Sequence, residues 1–294
     1  MKKLLLFTTL LVIIITTPSF NIPKLVSYDT KYVEVSTAIW NNEKYIMVSM
    51  NRDGDRIKAK YFAAKDYSGA SVYQRFNNWS LGKSLVLVSS GTYMNDSYQP
   101  VGLTIDNGII VNRTLSNEFD GLVIVYATGG VVVSNIADGN LSIKCEGVDR
   151  KYDIRKALDR ENFMECAQKV EATVFQTHLL AFKNELKIYP SPGCKLPPCE
   201  RERRFLAVCK DDDGIVYHII VHSPTPSTLY DGSRKVFKFL REYKDMKEVV
   251  FMINLDTGYQ DVFQLYDDKG NIRNDIRGMK DLSVAVNLLV YYYQ

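Results

Sequence analysis

The chain is short of several features that would settle its class at once. Five cysteines in 294 residues are too few for a disulfide scaffold, and the odd number leaves at least one unpaired within the chain. No charge of one sign dominates. There are 37 Lys and Arg against 34 Asp and Glu, and Lys2 and Lys3 supply two of the three net positive charges. A body this close to neutral argues against the clustered basic face of a nucleic-acid binder. No internal repeat and no low-complexity linker are present, and 46% of the residues are apolar, which rules out a disordered or collagen-like chain. Local catalytic signatures are missing as well. There is no Gly-x-Gly-x-x-Gly opening a helix, no P-loop, no His-Glu-x-x-His and no Gly-x-Ser-x-Gly.

What is present begins with a leader. Met1-Lys2-Lys3 precedes an apolar stretch over 4–15, then Thr16, Thr17, Pro18 and Ser19. A basic start, an apolar segment and a helix breaker with small residues are the layout of a secretory signal. The stretch falls short of the about 20 apolar residues that span a bilayer, and no later run is apolar enough. The reading is a signal peptide over 1–20 and an exported protein, periplasmic or extracellular and bacterial in type, with an uncleaved N-terminal anchor as the alternative.

The body, 25–294, reads as one domain of many short strands. The segment 45–50 runs into the turn 51–54, and 84–89 is apolar enough to be covered on both faces. A hairpin is predicted over 101–111 around Asn107-Gly108, because both residues tolerate positive φ. Strand pairs are also predicted over 121–133 and 205–222, and helices over 153–169 and 232–244, the second with Val236, Phe239, Leu240 and Tyr243 on one face. A strand at 249–255 after that helix predicts an α+β (mixed α/β) fold, with a mixed, hairpin-rich sheet and a few flanking helices.

Candidate functional residues lie at strand ends. Asp256 follows the apolar run 249–253 and stands beside Gly258, the position where α/β proteins place ligand contacts. A turn aspartate is the plainer reading. Ser89, Gly91 and Tyr93 end another buried strand, and Gln176-Thr177-His178 is a polar trio between apolar flanks. His218 and His222 share a strand face, either half a metal site or an ordinary strand surface. Cys194 and Cys199 suit a loop disulfide better than a metal, and Cys209 reads as core. Segments 51–55 and 211–214 resemble calcium loops but lack the terminal Glu. Sequons at Asn78, Asn95, Asn112 and Asn140 carry no weight behind a bacterial-type leader.

In their order, the strand ends resemble the phosphodiester glycosidase family. Ser89-Ser-Gly-Thr-Tyr93 stands where that family has Asn-(Gly/Ala)-Gly-x-(Phe/Tyr). Pro100-Val-Gly-Leu103 with Asp106-Asn-Gly108 fits its Pro-x-Gly-Leu hairpin. Gln176-Thr-His-Leu179 replaces Gln-x-Gly-Pro, Arg203-Arg204 suits its Arg-bearing strand, and 254–260 replaces Asn-Leu-Asp-Gly-Gly-x-Ser. The departures are Ser89, His178-Leu179, Thr257 and Tyr259, where the family has Asn or close-approach glycines.

The resemblance implies a hydrolase that cleaves between a sugar's anomeric carbon and a phosphate. Asp256 would be the catalytic carboxylate or sugar ligand, and His178 a proton donor. Arg204, or Arg203 in its place, would hold the phosphate. Ser89, Gly91, Tyr93, Gln176, Thr177 and Gly258 would bind substrate. The implied partner is a carbohydrate or sugar phosphate. No motif supports a divalent cation, so the cofactor stays unknown, and oligomeric state is not legible. The altered motif positions leave a second reading, a catalytically degenerate glycan- or envelope-binding protein of the same fold.

Overall fold

The computed structural model describes residues 31–64, 71–189, 200–259, 261–278 and 285–294. The leader, Cys194, Cys199 and Gln260 lie outside the described residues. A seven-stranded sheet has the order β1 (Val33–Trp40), β2 (Glu43–Asn51), β15 (Val216–Ser227), β14 (Arg201–Lys210), β16 (Glu248–Leu255), β12 (Leu179–Phe182), β13 (Glu185–Leu186). A five-stranded sheet has the order β18 (Ile272–Arg277), β17 (Val262–Tyr266), β4 (Leu85–Ser89), β19 (Asn287–Tyr293), β3 (Ile57–Ala63). A second runs β6 (Ile109–Asn112), β5 (Thr104–Asp106), β11 (Thr173–Thr177), β7 (Gly121–Val125), β8 (Val131–Asn135), and a two-stranded ribbon pairs β10 (Val148–Tyr152) with β9 (Leu141–Cys145).

The three large sheets turn their inner faces to a common core. Leu206, Val208 and Ile220 come from the seven-stranded sheet, Leu87, Phe263 and Leu289 from one five-stranded sheet, Val123 and Phe175 from the other. Each outer face carries one helix. Helix α3 (Leu229–Glu242) seats Val236, Phe239 and Leu240 on Phe205, Ala207 and Val221. Helix α2 (Ala157–Lys169) seats Phe163 and Ala167 on Leu122, Ile124 and Val174. Helix α1 (Ser71–Ser80) seats Val72 and Phe76 on Val88 and Val290. At about 25 cal/mol per Å² of apolar surface, this double coverage is what makes strands such as Leu85–Ser89 almost wholly apolar.

The α+β (mixed α/β) expectation is overturned. Every pairing of described strands is antiparallel, and among the described residues three α-helices accompany nineteen strands, so the fold is β-rich. Double-faced burial usually marks a parallel sheet between helices; here stacked antiparallel sheets produce it. The strand–helix–strand order is real, but β15 and β16 flank β14 and do not pair with each other. The Asn107-Gly108 hairpin forms as predicted, with φ of 50° and 77°.

Cys145 at the end of β9 is bonded to Cys166 of α2 across 21 residues, a pairing the sequence reading did not make, and among the described residues Cys209 is a buried free thiol. The bond ties the β9–β10 ribbon to its helix. Replacing both cysteines by alanine is expected to cost about 3 kcal/mol through the freed loop. Urea unfolding measures this, and an unchanged midpoint would make the cross-link irrelevant to stability.

Candidate active site

Five chain segments meet where β4, β11, β14, β16 and β17 present their ends. Backbone bonds lock them. The Asp256 amide donates to Gly91 O at 2.9 Å, and the Asn254 amide donates to His178 O at 3.2 Å. Side-chain hydroxyls add to this: Thr92 donates to Gln176 O at 2.5 Å and Thr177 to Asn254 O at 2.7 Å. Gly91 is required at its place. A Cβ there would lie 2.5 Å from the Tyr61 ring and 2.8 Å from Asn287 Oδ1, the atom that accepts its amide hydrogen.

Asp256 leaves β16 in a turn of its own making, with Oδ1 accepting from the Gly258 amide at 2.9 Å. The residue is 8% exposed. Burial raises its carboxyl to about 6; the Gly258 amide opposes this, Asp261 adds to it, and Arg204 and Arg201 oppose it more weakly. Tyr93 reaches the same spot. Its hydroxyl accepts from Asn254 Nδ2, and burial followed by the Asp256 charge holds it protonated. Among the described residues Asn254 Oδ1 is buried without a hydrogen-bond partner.

The other sequence-predicted residues divide into two groups. His178 lines the site with its ring edge-on to Tyr93 and Phe119, centroids 5.5 and 4.7 Å apart. Burial, then the Arg203 charge, lowers it to about 4, so it is neutral at neutral pH. Arg203 is nearly buried, with Nε on Ser227 O at 3.1 Å, and its charge is felt by both Tyr93 and His178. Thr177 acts through its hydroxyl, and Gly91 and Gly258 through their backbone, in the contacts above.

Gln176, Arg204 and Ser89 sit deeper, against protein. Gln176 Oε1 accepts from the amides of Leu103 and Ser116, both at 2.9 Å, while Nε2 donates to Ser116 O and Phe119 O at 3.0 and 2.7 Å. All four hydrogen-bonding capacities of the amide are filled. Gly102 permits this at φ 85°, since a Cβ would fall 2.6 Å from Gln176 Oε1. Arg204 is fully buried in a fork on Asp261, with Nη1–Oδ1 at 2.5 Å and Nη2–Oδ2 at 3.2 Å. Nη1 also reaches Val262 O at 3.1 Å and Ser89 Oγ at 3.5 Å, and the guanidinium carbon lies 4.4 Å from the Phe263 ring centre.

Asp261 and Glu202 were not singled out from the sequence. The missed signal is chemical: a buried arginine demands a carboxylate, and Asp261 is the nearest acid after Gly258. Glu202 lies 3.7 Å from His222 Nε2, with its carboxyl raised by burial and then by Asp261. His218 and His222 are both buried, and His218 Nδ1 is 2.9 Å from the Tyr291 hydroxyl. Among the described residues no three His, Cys, Asp or Glu side chains are grouped to hold a metal. Among them no helix is long and apolar enough to cross a membrane.

These ionisations set an acid limit on the fold. Burial depresses His178 to about 4, His222 to about 3 and His218 well below its usual value. Below about 6.5 the unfolded chain therefore binds more protons than the native one, and stability falls with falling pH. Asp256 works in the opposite direction between its ordinary value and about 6, so it cancels part of the slope. A net loss on the order of 2 kcal/mol per pH unit is expected between pH 6 and 4. Melting curves across that range check it; a temperature midpoint flat from pH 7 to 4 would contradict the buried neutral histidines.

No family model matches the sequence. No curated protein sequence matches it. Solved structures that resemble it include the catalytic domain of zebrafish N-acetylglucosamine-1-phosphodiester alpha-N-acetylglucosaminidase, auto-inhibited by its pro-peptide. That likeness has 12% identity and a TM-score of 0.48, covering 89% of this chain and 82% of that one. A hypothetical protein from Synechocystis has 10% identity and a TM-score of 0.44, over 89% of this chain and 62% of that one. A candidate exported protein of Burkholderia pseudomallei K96243 has 9% identity and a TM-score of 0.46, over 86% and 74%. Likenesses of this extent assign no residue.

Proposed function

We propose that the protein is an exported hydrolase of a glycosyl-1-phosphodiester bond, with Asp256 as its catalytic carboxylate. One observation carries the reading: a nearly buried carboxyl raised to about 6, with guanidinium groups acting on it, stands where the strand ends meet. The leader supports export, and the order of the motifs in the sequence supports the substrate class.

The chemistry follows from the leaving group. A phosphate monoester departs with the electron pair of the C1–O bond and needs little protonation. The enzyme's work is therefore on the sugar side and on phosphate charge. Ionised Asp256 takes a proton from water as the water oxygen bonds to C1, or steadies positive charge on the sugar ring. Arg203, with Arg201 two residues before it, takes the phosphate. Arg204 sets the field from below while bound to Asp261. The products are free sugar and a phosphomonoester.

Incubating the full chain with the methyl phosphodiester of N-acetylglucosamine 1-phosphate tests this. Sugar release is expected, rising with pH through about 6 as Asp256 ionises. No release between pH 4 and 9 would end the hydrolase reading. A non-catalytic glycan- or envelope-binding protein is the second reading, favoured by Arg204 being fully buried on Asp261. Binding of the phosphodiester without turnover is its signature.

A further inference from the structure

Two tyrosines from two different loops meet next to the Asp256–Gly258 turn. Tyr259 follows the Asp256–Gly258 turn and is 42% exposed. Tyr98 tips the loop between Tyr93 and Val101, which is closed at its base by the Val101 amide on Tyr93 O at 2.9 Å. Their ring centres are 6.2 Å apart, with planes inclined at 34°. The rings therefore form one continuous wall and are too close to admit a ligand between them.

The backbone at Tyr98 is the unusual part. Its φ is 58°, and it is the only aromatic side chain with positive φ among the described residues; the other non-glycine residues there are Asn, Asp, Glu and Lys. A bulky side chain in the left-handed region is strained. The loop is built to hold it. Asn95 Oδ1 accepts from the amides of Ser97 and Gln99 at 3.0 and 2.9 Å, and the Tyr98 amide donates to Asn95 O at 2.9 Å. Stability alone would put Asn or Gly at such a corner, so a strained residue held by its surroundings points to function. The chemistry at hand completes the argument. An aromatic face joined by a short turn to a carboxylate suits a pyranose, which offers C–H bonds to a ring and hydroxyls to the carboxylate.

We propose that Tyr98 and Tyr259 form an aromatic platform that receives the sugar ring of a sugar-phosphate ligand and selects against ligands without one. This deepens the reading of Asp256 as a glycosyl-phosphate site and rests on it for the ligand class.

Calorimetric titration of the full chain with N-acetylglucosamine 1-phosphate and, separately, with inorganic phosphate tests the platform. The wild type is expected to bind the sugar phosphate more tightly. Tyr98→Ala and Tyr259→Ala are expected to weaken that affinity by about three- to tenfold each while leaving phosphate within about twofold. Tyr98→Phe and Tyr259→Phe keep the stacking face and the affinity. Tyr98→Asn, which suits positive φ, is expected to melt at or above the wild-type temperature while binding the sugar phosphate as weakly as the alanine variant. The proposal is overturned if the alanine variants bind like wild type, if both ligands weaken together, or if wild type holds phosphate as tightly as sugar phosphate or binds neither. Wild type that binds the sugar phosphate through these tyrosines but never hydrolyses the phosphodiester removes the hydrolase reading and leaves the platform standing.

Discussion

An Asp256→Asn variant is expected to release sugar from the N-acetylglucosamine 1-phosphodiester about a thousandfold more slowly than wild type. Asparagine keeps the shape and can still accept the Gly258 amide, so the geometry of the turn survives. What goes is the negative charge and the ability to take a proton. The inflection near pH 6 should vanish with it. Stability should move the other way. The native carboxyl titrates at about 6 against an ordinary 3.8, so the native state binds the extra proton between those values and loses stability as pH rises through them. At pH 7 the ionised buried group costs the wild-type fold about 3 kcal/mol, which the neutral amide does not. The variant should therefore melt higher than wild type at pH 7 and level with it near pH 4. Full activity in the variant would remove Asp256 from the mechanism; a lower melting point at pH 7 would show that the carboxylate is satisfied by its surroundings.

The second large effect belongs to Asp261. Asp261→Ala leaves the Arg204 guanidinium buried, with Val262 O and Ser89 Oγ as its oxygen partners. Removing one member of a buried ion pair typically costs about 3–5 kcal/mol. In a chain of this size that lowers the melting temperature by about 10 °C. The double variant Arg204→Met with Asp261→Leu removes the stranded charge and should recover much of the loss, so the two changes should be strongly non-additive. Asp261→Asn gives a separate reading. It keeps an acceptor for Arg204 but deletes a charge that raises Asp256, so the pH at which sugar release sets in should move below 6. An Asp261→Ala protein melting within a degree or two of wild type would mean the fork contributes nothing to stability.

Several of these features could be read along the chain and several could not. Asn107-Gly108 announced its hairpin because two adjacent positive φ angles leave few residue choices. Helix α3 was visible from its one-sided apolar stripe. Helix α1 was not predicted although Val72, Phe76 and Trp79 stand at helical spacing, because Asn77, Asn78 and Ser80 in its last turn favour a loop. The fold class went wrong for a physical reason: a strand buried on both faces reads the same whether a helix or another sheet covers it. At the site, Asp256 and Gly91 were legible as strand-end residues. The deep placement of Gln176 was not, because an amide that braces two loops is indistinguishable in sequence from one awaiting a ligand. Nor could the Cys145–Cys166 pairing be chosen from five cysteines without knowing which helix lies over which ribbon.

Strand β4 takes both of its sheet neighbours from far downstream, with Ser89 opposite Phe263 on one side and Leu289 on the other. A ribosome adding about 5–20 residues per second needs roughly 10–40 s to bring the later of the two partners into being. For most of that interval, until β17 is made, an apolar segment, Leu85–Val88, has neither of its sheet neighbours to pair with. A newly made chain is therefore expected to expose this apolar segment until its partners arrive, and an unpaired strand of this kind is where aggregation starts.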